Sequence, residues 1–310
     1  MQLQRDFSDY YGTDECEDKI LNETISGNGS YYINNAFFSF HFRKRTISIS
    51  SNSSVLLEAC AFYNNSSTEN GGSICIIESN CILVHLCISL SSIVSNKKSG
   101  CVYYIDPIYN NRFNYAFGCS ISQCIGYESA FFHQRGDIQV SNMNTSYHKN
   151  IDRTAAFDII IPEGIGIINF TTAFNTSSSN YCEMEVFGTC NIRKCNYLYN
   201  KYSGDTNSII QCSSSCLLLK CTIIGNIGNS LFYTMPNIDH CFIKDNDVNQ
   251  IANDYVSIDP GKPVNSHLSH YTTYYCPGSV YYYNYLDEIQ NRSYSKNITY
   301  LSLRFRYRRH

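Results

Sequence analysis

The sequence predicts an all-β protein built as a right-handed parallel β-helix, and three observations support this. A short pattern of Cys, any residue, an apolar or aromatic residue, two further residues and Asn recurs along the chain. Apolar runs that begin after small residues recur with it, roughly every 25 residues, which is the spacing of repeat proteins. No apolar spacing of 3.6 residues extends far enough for a helix. Short strands of this kind bury a continuous core only when each unit stacks on the next.

The Cys–Asn pattern predicts one corner of each unit. Its first and third positions share one face of a strand. We expect the Asn residues to stack at a turn, where the side chain bonds a backbone group and the backbone tolerates left-handed φ and ψ. The copies are Cys60-Ala-Phe62-Tyr-Asn-Asn65, Cys195-Asn-Tyr197-Leu-Tyr-Asn200, Cys221-Thr-Ile223-Ile-Gly-Asn226, Cys241-Phe-Ile243-Lys-Asp-Asn246 and the degenerate Met143-Asn-Thr145-Ser-Tyr-His148.

Two further strands per unit are predicted upstream of this corner. A second Cys stands five positions before another Cys in three places, and a polar pair between them suits a bend, so we expect the later Cys to begin a new strand. These pairs are Cys119 with Cys124, Cys190 with Cys195, and Cys216 with Cys221. The apolar runs form the third strand, with starts near Ile74, Cys101, Ala130, Ala155, Ser208 and Ser230.

One unit carries two motifs that resemble a known repeat. Phe62-Tyr-Asn-Asn65 and Gly71-Gly72-Ser73-Ile74 are similar to the repeats of polymorphic outer membrane protein-like proteins, which are right-handed β-helices of the pectin-lyase-like type. That family includes bacterial surface proteins and expanded sets in parasitic protists. The resemblance covers roughly residues 45–250, and later units keep Asn while replacing Phe with Tyr or Ile. It implies a surface-associated protein that acts in adhesion.

Three segments are predicted from where the repeat holds. Residues 1–45 are expected to form an N-terminal cap and first rung, and residues 46–250 a solenoid of about eight rungs. Residues 251–310 are expected to form a Tyr-rich C-terminal cap that ends in a basic tail. Caps are needed because the end strands of a solenoid expose unpaired edges.

The 16 cysteines are interpreted as buried thiols that pack the core. Thiols on neighbouring rungs lie about 4.8 Å apart, beyond the usual disulfide Cβ separation. Disulfides are expected instead in the end pieces, for instance at Cys16 or Cys276; a secreted disulfide framework is the alternative. The chain has no Cys-x-x-Cys pair, and His267, His270 and Cys276 form only a loose cluster, so neither a metal nor a cofactor is predicted.

Composition and targeting signals leave the compartment open. A net charge of −3 with 16% charged residues gives no indication of a nucleic acid or other polyanion as partner. No run reaches the length of a membrane span, and the polar N-terminus does not resemble a signal peptide. Frequent glycosylation sequons, such as Asn22-Glu-Thr24, and the family resemblance suggest a surface or secreted location. A cytosolic chain with chance sequons, a misassigned start or a fragment of a longer surface protein would each reconcile the two.

The favoured function is a non-enzymatic scaffold that binds host or self surface proteins or glycans, with ligand and oligomeric state open. The alternative is a polysaccharide lyase or glycoside hydrolase, which needs carboxylates on the outer face of adjacent rungs. A decayed protein without a role is a third reading. The nearest carboxylates are Asp239, Asp245 and Asp247, yet the rungs before Asp245 carry Gly225 and Tyr199. Other candidates are interpreted as ordinary outward strand residues, namely His85, His133, Glu183 and Glu185.

Overall fold

The computed structural model describes residues 7–13, 16–19, 23–69, 71–89, 92–93, 102–109, 111–126, 129–150, 156–160, 162–179, 184–204 and 208–250. Within them the chain is the predicted all-β parallel β-helix, of about seven turns. Its three sheets are parallel, and the one described helix is α1 (Phe7–Tyr11). The predicted C-terminal cap and tail, with His267, His270 and Cys276, lie outside the described residues.

Sheet A contributes one strand to each rung and has ten strands. The eight strands that fall within residues 46–250 enclose seven complete turns, in agreement with the predicted number of rungs. The strands are β1 (Glu17–Lys19), β3 (Tyr31–Asn34), β7 (Ser54–Glu58), β11 (Asn80–Val84), β15 (Phe113–Phe117), β19 (Asp137–Ser141), β23 (Gly166–Asn169), β27 (Cys190–Arg193), β31 (Leu217–Leu219) and β34 (Asn237–Asp239).

Sheet C follows sheet A on each rung and has nine strands. They contain the middle residues of the Cys–Asn pattern and are only three residues long, because a corner stands at each end. The strands are β4 (Phe37–Ser39), β8 (Ala61–Tyr63), β12 (Cys87–Ser89), β16 (Ser120–Ser122), β20 (Asn144–Ser146), β24 (Thr172–Phe174), β28 (Asn196–Leu198), β32 (Thr222–Ile224) and β35 (Phe242–Lys244).

Sheet B closes each rung with two strands and has 17 strands, because β33 (Ile227–Phe232) runs through both of its ladders. The ladder that follows sheet C holds β5 (Phe42–Arg43), β9 (Ser66–Ser67), β13 (Ser92–Ile93), β17 (Ile125–Gly126), β21 (Lys149–Asn150), β25 (Ser177–Ser178), β29 (Lys201–Tyr202) and β36 (Asp247–Gln250). The predicted apolar runs form the other ladder, with β2 (Ile25–Gly27), β6 (Ile47–Ser50), β10 (Ile74–Ile77), β14 (Tyr103–Asp106), β18 (Phe131–Gln134), β22 (Phe157–Ile160), β26 (Met184–Phe187) and β30 (Ser208–Cys212).

The corners on either side of sheet C always have the same length, whereas the connections elsewhere on the rung vary. Each corner that the structure describes consists of one residue in the left-handed region and one residue whose side chain turns inward. From sheet A to sheet C the left-handed residues are Asn35, Ala59, His85, Gly118, Asn142, Phe170, Lys194, Lys220 and His240. From sheet C to sheet B they are Phe40, Asn64, Gln123, Tyr147, Asn175, Tyr199, Gly225 and Asp245.

The repeated Asn is the inward residue of the corner between sheets C and B, and it forms the predicted ladder. The Asn226 amide donates to the Tyr197 carbonyl one rung back at 2.9 Å, and its oxygen accepts the Asn200 backbone N–H at 3.0 Å. Asn65, Asn200 and Asn246 repeat the donation to a carbonyl one rung back. The side-chain prediction is confirmed, but the left-handed backbone was assigned to the wrong residue, because it belongs to the residue before each Asn.

His148 occupies the same ladder position. Its Nδ1 accepts the Cys124 backbone N–H at 3.2 Å, as an Asn oxygen does on other rungs. This equivalence also corrects the alignment of the cysteine pairs. Cys124 stands at the ladder position of Asn200, and Cys119 corresponds to Cys195, so Cys119 and Cys124 flank sheet C while the other two pairs flank sheet A.

The repeated Cys is the inward residue of the corner between sheets A and C. The thiols of Cys60, Cys195, Cys221 and Cys241 all lie near a sheet A carbonyl one rung back, and that of Cys60 donates to the Ile33 carbonyl at 3.3 Å. Burial raises the pKa of the Cys60 and Cys119 thiols to about 12. The interpretation of these repeat cysteines as buried thiols is therefore confirmed.

One cysteine departs from this interpretation. Cys87, on the outer side of β12, is disulfide-bonded although it lies in the middle of the solenoid. The suggested disulfide at Cys16 is wrong, because Cys16 is a free thiol. The inward positions at the corners are thus reduced, and the disulfide belongs to an outward-facing residue.

The core is filled by side chains whose sizes compensate across the rung. Sheet B contributes the stacked rings of Tyr103, Phe131 and Phe157, with centroids 5.6 and 5.0 Å apart. Opposite them, sheet C contributes the smaller Thr145 and Ala173. Such alternation lets one core keep native packing density along the rod.

The N-terminal helix covers part of the outer face of sheet A. Phe7 of α1 packs against Leu56, Ile82 and Val84 of β7 and β11. The Tyr11 hydroxyl donates to the Val55 carbonyl at 2.9 Å. Parallel pairing already begins at β1, so residues 1–45 contain rung strands as well as this helix.

Candidate binding surface

The three carboxylates that the enzyme alternative depends on do not converge. Asp239 is the last residue of β34 in sheet A. Asp245 is the left-handed corner residue after sheet C, and Asp247 begins β36 in sheet B. All three are exposed. A strand of sheet C separates Asp239 from Asp245, and a corner separates Asp245 from Asp247, so Asp245 and Asp247 do not lie on one strand. These residues are a solvated surface.

His133 was wrongly interpreted as outward. It lies fully buried inside the solenoid, where its Nε2 is 2.8 Å from the Tyr103 hydroxyl and its Nδ1 faces the Asn114 side-chain oxygen. Burial lowers the pKa of His133 to about 3, so the ring is neutral and structural. His85 is a corner residue rather than a strand residue. Glu183 and the side chain of Glu185 lie outside the described residues.

A different carboxylate, Asp158, stands on the outer face of sheet B. Asp158 is buried there, and the register places it beside position 185 of the next rung, which is a glutamate, and then Gln211. Two rungs back, Asp106 pairs with Arg135 and accepts the Tyr104 hydroxyl at 3.2 Å. The sequence did not reveal that positions 158 and 185 are neighbours, because they are 27 residues apart and only the rung period brings them together.

Exposed aromatic residues mark the corner between sheets C and B. Tyr147 and Tyr199 are 48% and 56% exposed although both occupy the left-handed region, with φ of 56° and 57°. Phe174 lies on the rung between them and meets both rings edge-on, at 5.4 and 6.1 Å. A bulky residue in this region costs about 1–2 kcal/mol, which Gly or Asn avoids on other rungs. We call Tyr147, Phe174 and Tyr199 the corner ridge.

A lysine follows each tyrosine of the ridge two positions later. Lys149 and Lys201 are exposed at the start of β21 and β29, and Ser177 lies between them in register. The Tyr–Lys pair therefore repeats every second rung, or about every 9.6 Å along the rod. The intervening ladder residue points inward in both cases. The surface ends two rungs after Tyr199, where Asp245 stands at the tyrosine position and Asp247 at the lysine position.

The ridge also had a signal in the sequence. Tyr147-His-Lys149 and Tyr199-Asn-Lys201 are two copies of one tripeptide at equivalent repeat positions. The signal was overlooked because a tyrosine directly before a turn residue reads as a strand end. Only the corner geometry turns the ring outward and sets the lysine beside it.

Comparisons with known proteins add no functional information. No family model matches the chain, no curated protein matches it, and no solved structure matches it. Within the described residues no helix has the length and apolar character needed to cross a membrane.

Proposed function

We propose that the β-helix is a non-enzymatic scaffold that binds a linear acidic glycan along the corner ridge. The observation that carries this proposal is the repeated pair of exposed Tyr and Lys at Tyr147 with Lys149 and Tyr199 with Lys201. Exposed aromatic groups with a polar rim mark interaction sites. The chain as a whole is weakly acidic, but Lys149 and Lys201 stand on one line beside the corner ridge.

The chemistry of the ridge favours a polymer over a compact ligand. Tyrosine rings offer flat faces to the apolar C–H faces of sugars, and the ammonium groups pair with carboxylate or sulfate groups. A ligand with a regular repeat can occupy both pairs at once, and simultaneous engagement raises affinity well above that of one pair. The proposed role agrees with the adhesive role that the motif resemblance implies.

We predict that Tyr199→Asn lowers glycan affinity while raising stability. Asn tolerates the left-handed backbone, so the free energy of unfolding should rise by up to about 1 kcal/mol. The affinity for heparin, used as the acidic probe, should fall about tenfold or more. Isothermal titration calorimetry and thermal unfolding measure the two effects on the full chain, and dextran serves as the neutral probe.

The matched control is Tyr233→Asn. Tyr233 is also an exposed tyrosine, 61% accessible, but it follows β33 away from the ridge. Its replacement should leave heparin affinity unchanged. Equal losses in both variants, or no loss in Tyr199→Asn, would exclude the ridge as the binding surface.

The outer face of sheet B supports a second candidate, a glycan-cleaving enzyme. Such chemistry requires two carboxylates, and the register sets Asp158 beside a glutamate position on the adjacent rung. Under this hypothesis Asp158→Asn should lower the rate of reducing-end release from polysaccharides at least a hundredfold, and the exposed Asp239→Asn should not. Absence of any cleavage by the unmodified chain over an acidic and neutral polysaccharide panel would remove this candidate.

A further inference from the structure

We infer that the outer face of sheet C is the docking surface for the chain's own residues 251–310, fixed there by a disulfide between Cys87 and Cys276. The outer face is lined by small residues: Ala61, Ser120, Ser122 and Ser146 are all at most 1% exposed. Side chains on the outer side of a sheet are buried only when something lies over them.

The described residues do not supply that layer. The apolar cluster on this face consists of Phe37, Ala61, Cys87 and Tyr63, all from sheet C, whereas the cluster outside sheet A includes α1. The hydroxyls of Ser120, Ser122 and Ser146 are buried with no hydrogen-bond partner among the described atoms. Buried hydroxyls of this kind normally pair with a covering segment.

The disulfide identifies the segment by elimination. Apart from Cys87, every described cysteine is a free thiol, which leaves Cys101, Cys182 and Cys276. A disulfide needs Cα atoms within about 7 Å. Cys101 adjoins Val102, whose backbone is bonded to the Ser129 carbonyl at sheet B. Cys87 stands at the opposite end of its rung, beside the corner with sheet A.

Cys182 is too far along the rod. It lies two residues before β26, and that rung continues to β28, four steps from β12 in sheet C, or about 19 Å. The distance between rungs does not exclude Cys276. It follows Gln250 by 26 residues (276 − 250), which extend to about 85 Å, and β12 is six strands from β35, or about 29 Å.

The first experiment maps disulfides in the full chain. The protein is purified without reductant, blocked with N-ethylmaleimide, digested without reduction and analysed by mass spectrometry. We expect one cross-linked species that joins the peptides of Cys87 and Cys276 within a monomer. Recovery of Cys276 as a maleimide adduct, or linkage of Cys87 to Cys101 or Cys182, would overturn the assignment. A disulfide-linked dimer on a non-reducing gel would show instead that a second copy of the chain covers the outer face of sheet C.

The second experiment tests docking apart from the disulfide. Ser146→Arg places a large side chain on the outer face of sheet C, and Ser141→Arg places the same side chain on the outer face of sheet A as control. Trypsin should cleave at Arg292 and Lys296 at least tenfold faster in Ser146→Arg only. Ser122→Arg repeats the test, and circular dichroism confirms folding in each variant. Equal cleavage in the sheet C and sheet A variants would overturn the docking surface.

Discussion

Acidification from pH 7 to pH 5 is expected to lower the free energy of unfolding by roughly 4 kcal/mol, through His133 and His148. Burial lowers the pKa of His148 to about 4 and that of His133 to about 3, against 6.5 in the unfolded chain. Between pH 6.5 and these values the unfolded chain binds protons that the folded chain does not. Stability is therefore fully present above pH 6.5 and falls as the pH drops towards 4 and 3.

Burial is the reason why His148 resists protonation, and the ladder geometry fixes which ring nitrogen accepts a hydrogen bond. Its Nδ1 accepts a hydrogen bond from the Cys124 backbone N–H. A proton on Nδ1 would therefore point at that N–H group, and neither group could accept. His148→Asn introduces the residue type that occupies this ladder position on other rungs, as Asn65, Asn200 and Asn226 do. Between pH 7 and pH 5, the free energy of unfolding should fall by roughly 2 kcal/mol less in this variant than in the parent chain.

Urea unfolding at a series of pH values measures this difference. His240→Asn, at an exposed corner, is the control for replacing an imidazole by an amide. The interpretation fails if His148→Asn and the parent chain lose stability in parallel, or if His240→Asn protects as well as His148→Asn.

Asn226→Ala is expected to destabilise the chain by about 2–4 kcal/mol, because it leaves one buried backbone N–H without a partner and removes one donor from a buried carbonyl. The Asn200 backbone N–H loses its acceptor, and the Tyr197 carbonyl loses the Asn226 amide. The Asn200 amide also loses the oxygen that it donates to at 3.0 Å. Since each rung contacts only its neighbours, the loss falls on the interface between two rungs.

Two further variants calibrate that prediction by urea unfolding. Asn246→Ala removes the same contacts from a half-buried position on the last described rung and should cost about 1–2 kcal/mol. Asn237→Ala, at an exposed strand start, should cost less than about 0.5 kcal/mol. A cost for Asn226→Ala no greater than for Asn246→Ala would show that the ladder does not stabilise the central rungs.

Much of the rung could be predicted from sequence because the constraints on it are local and repeat. Cys and Asn at fixed spacing mark the two inward corner positions, and the apolar runs mark one ladder of sheet B. The left-handed residues could not be predicted. Lys194, Lys220 and Tyr199 are poor residues for that conformation, and the ladder bonds on either side impose it on them.

The functional residues were harder to predict, for a geometric reason. Alternation along a strand would place His133 on either face, and its inward direction follows only from the register with Phe131 and Phe157. The corner ridge could be predicted only if Tyr147 and Tyr199 were known to stand at corners. The predicted acids at Asp239, Asp245 and Asp247 were neighbours in sequence, yet corners direct neighbours in sequence to different faces.

The constant corners around sheet C have a consequence for how such a chain can change over evolutionary time. Insertions or deletions there would shift the Asn and Cys ladders out of register, so this half of the rod is closed to length variation. The connections before and after the apolar runs of sheet B already differ in length from rung to rung and carry no ladder. New loops can therefore accumulate along one side of the molecule, and diversification of that side leaves the corner ridge intact.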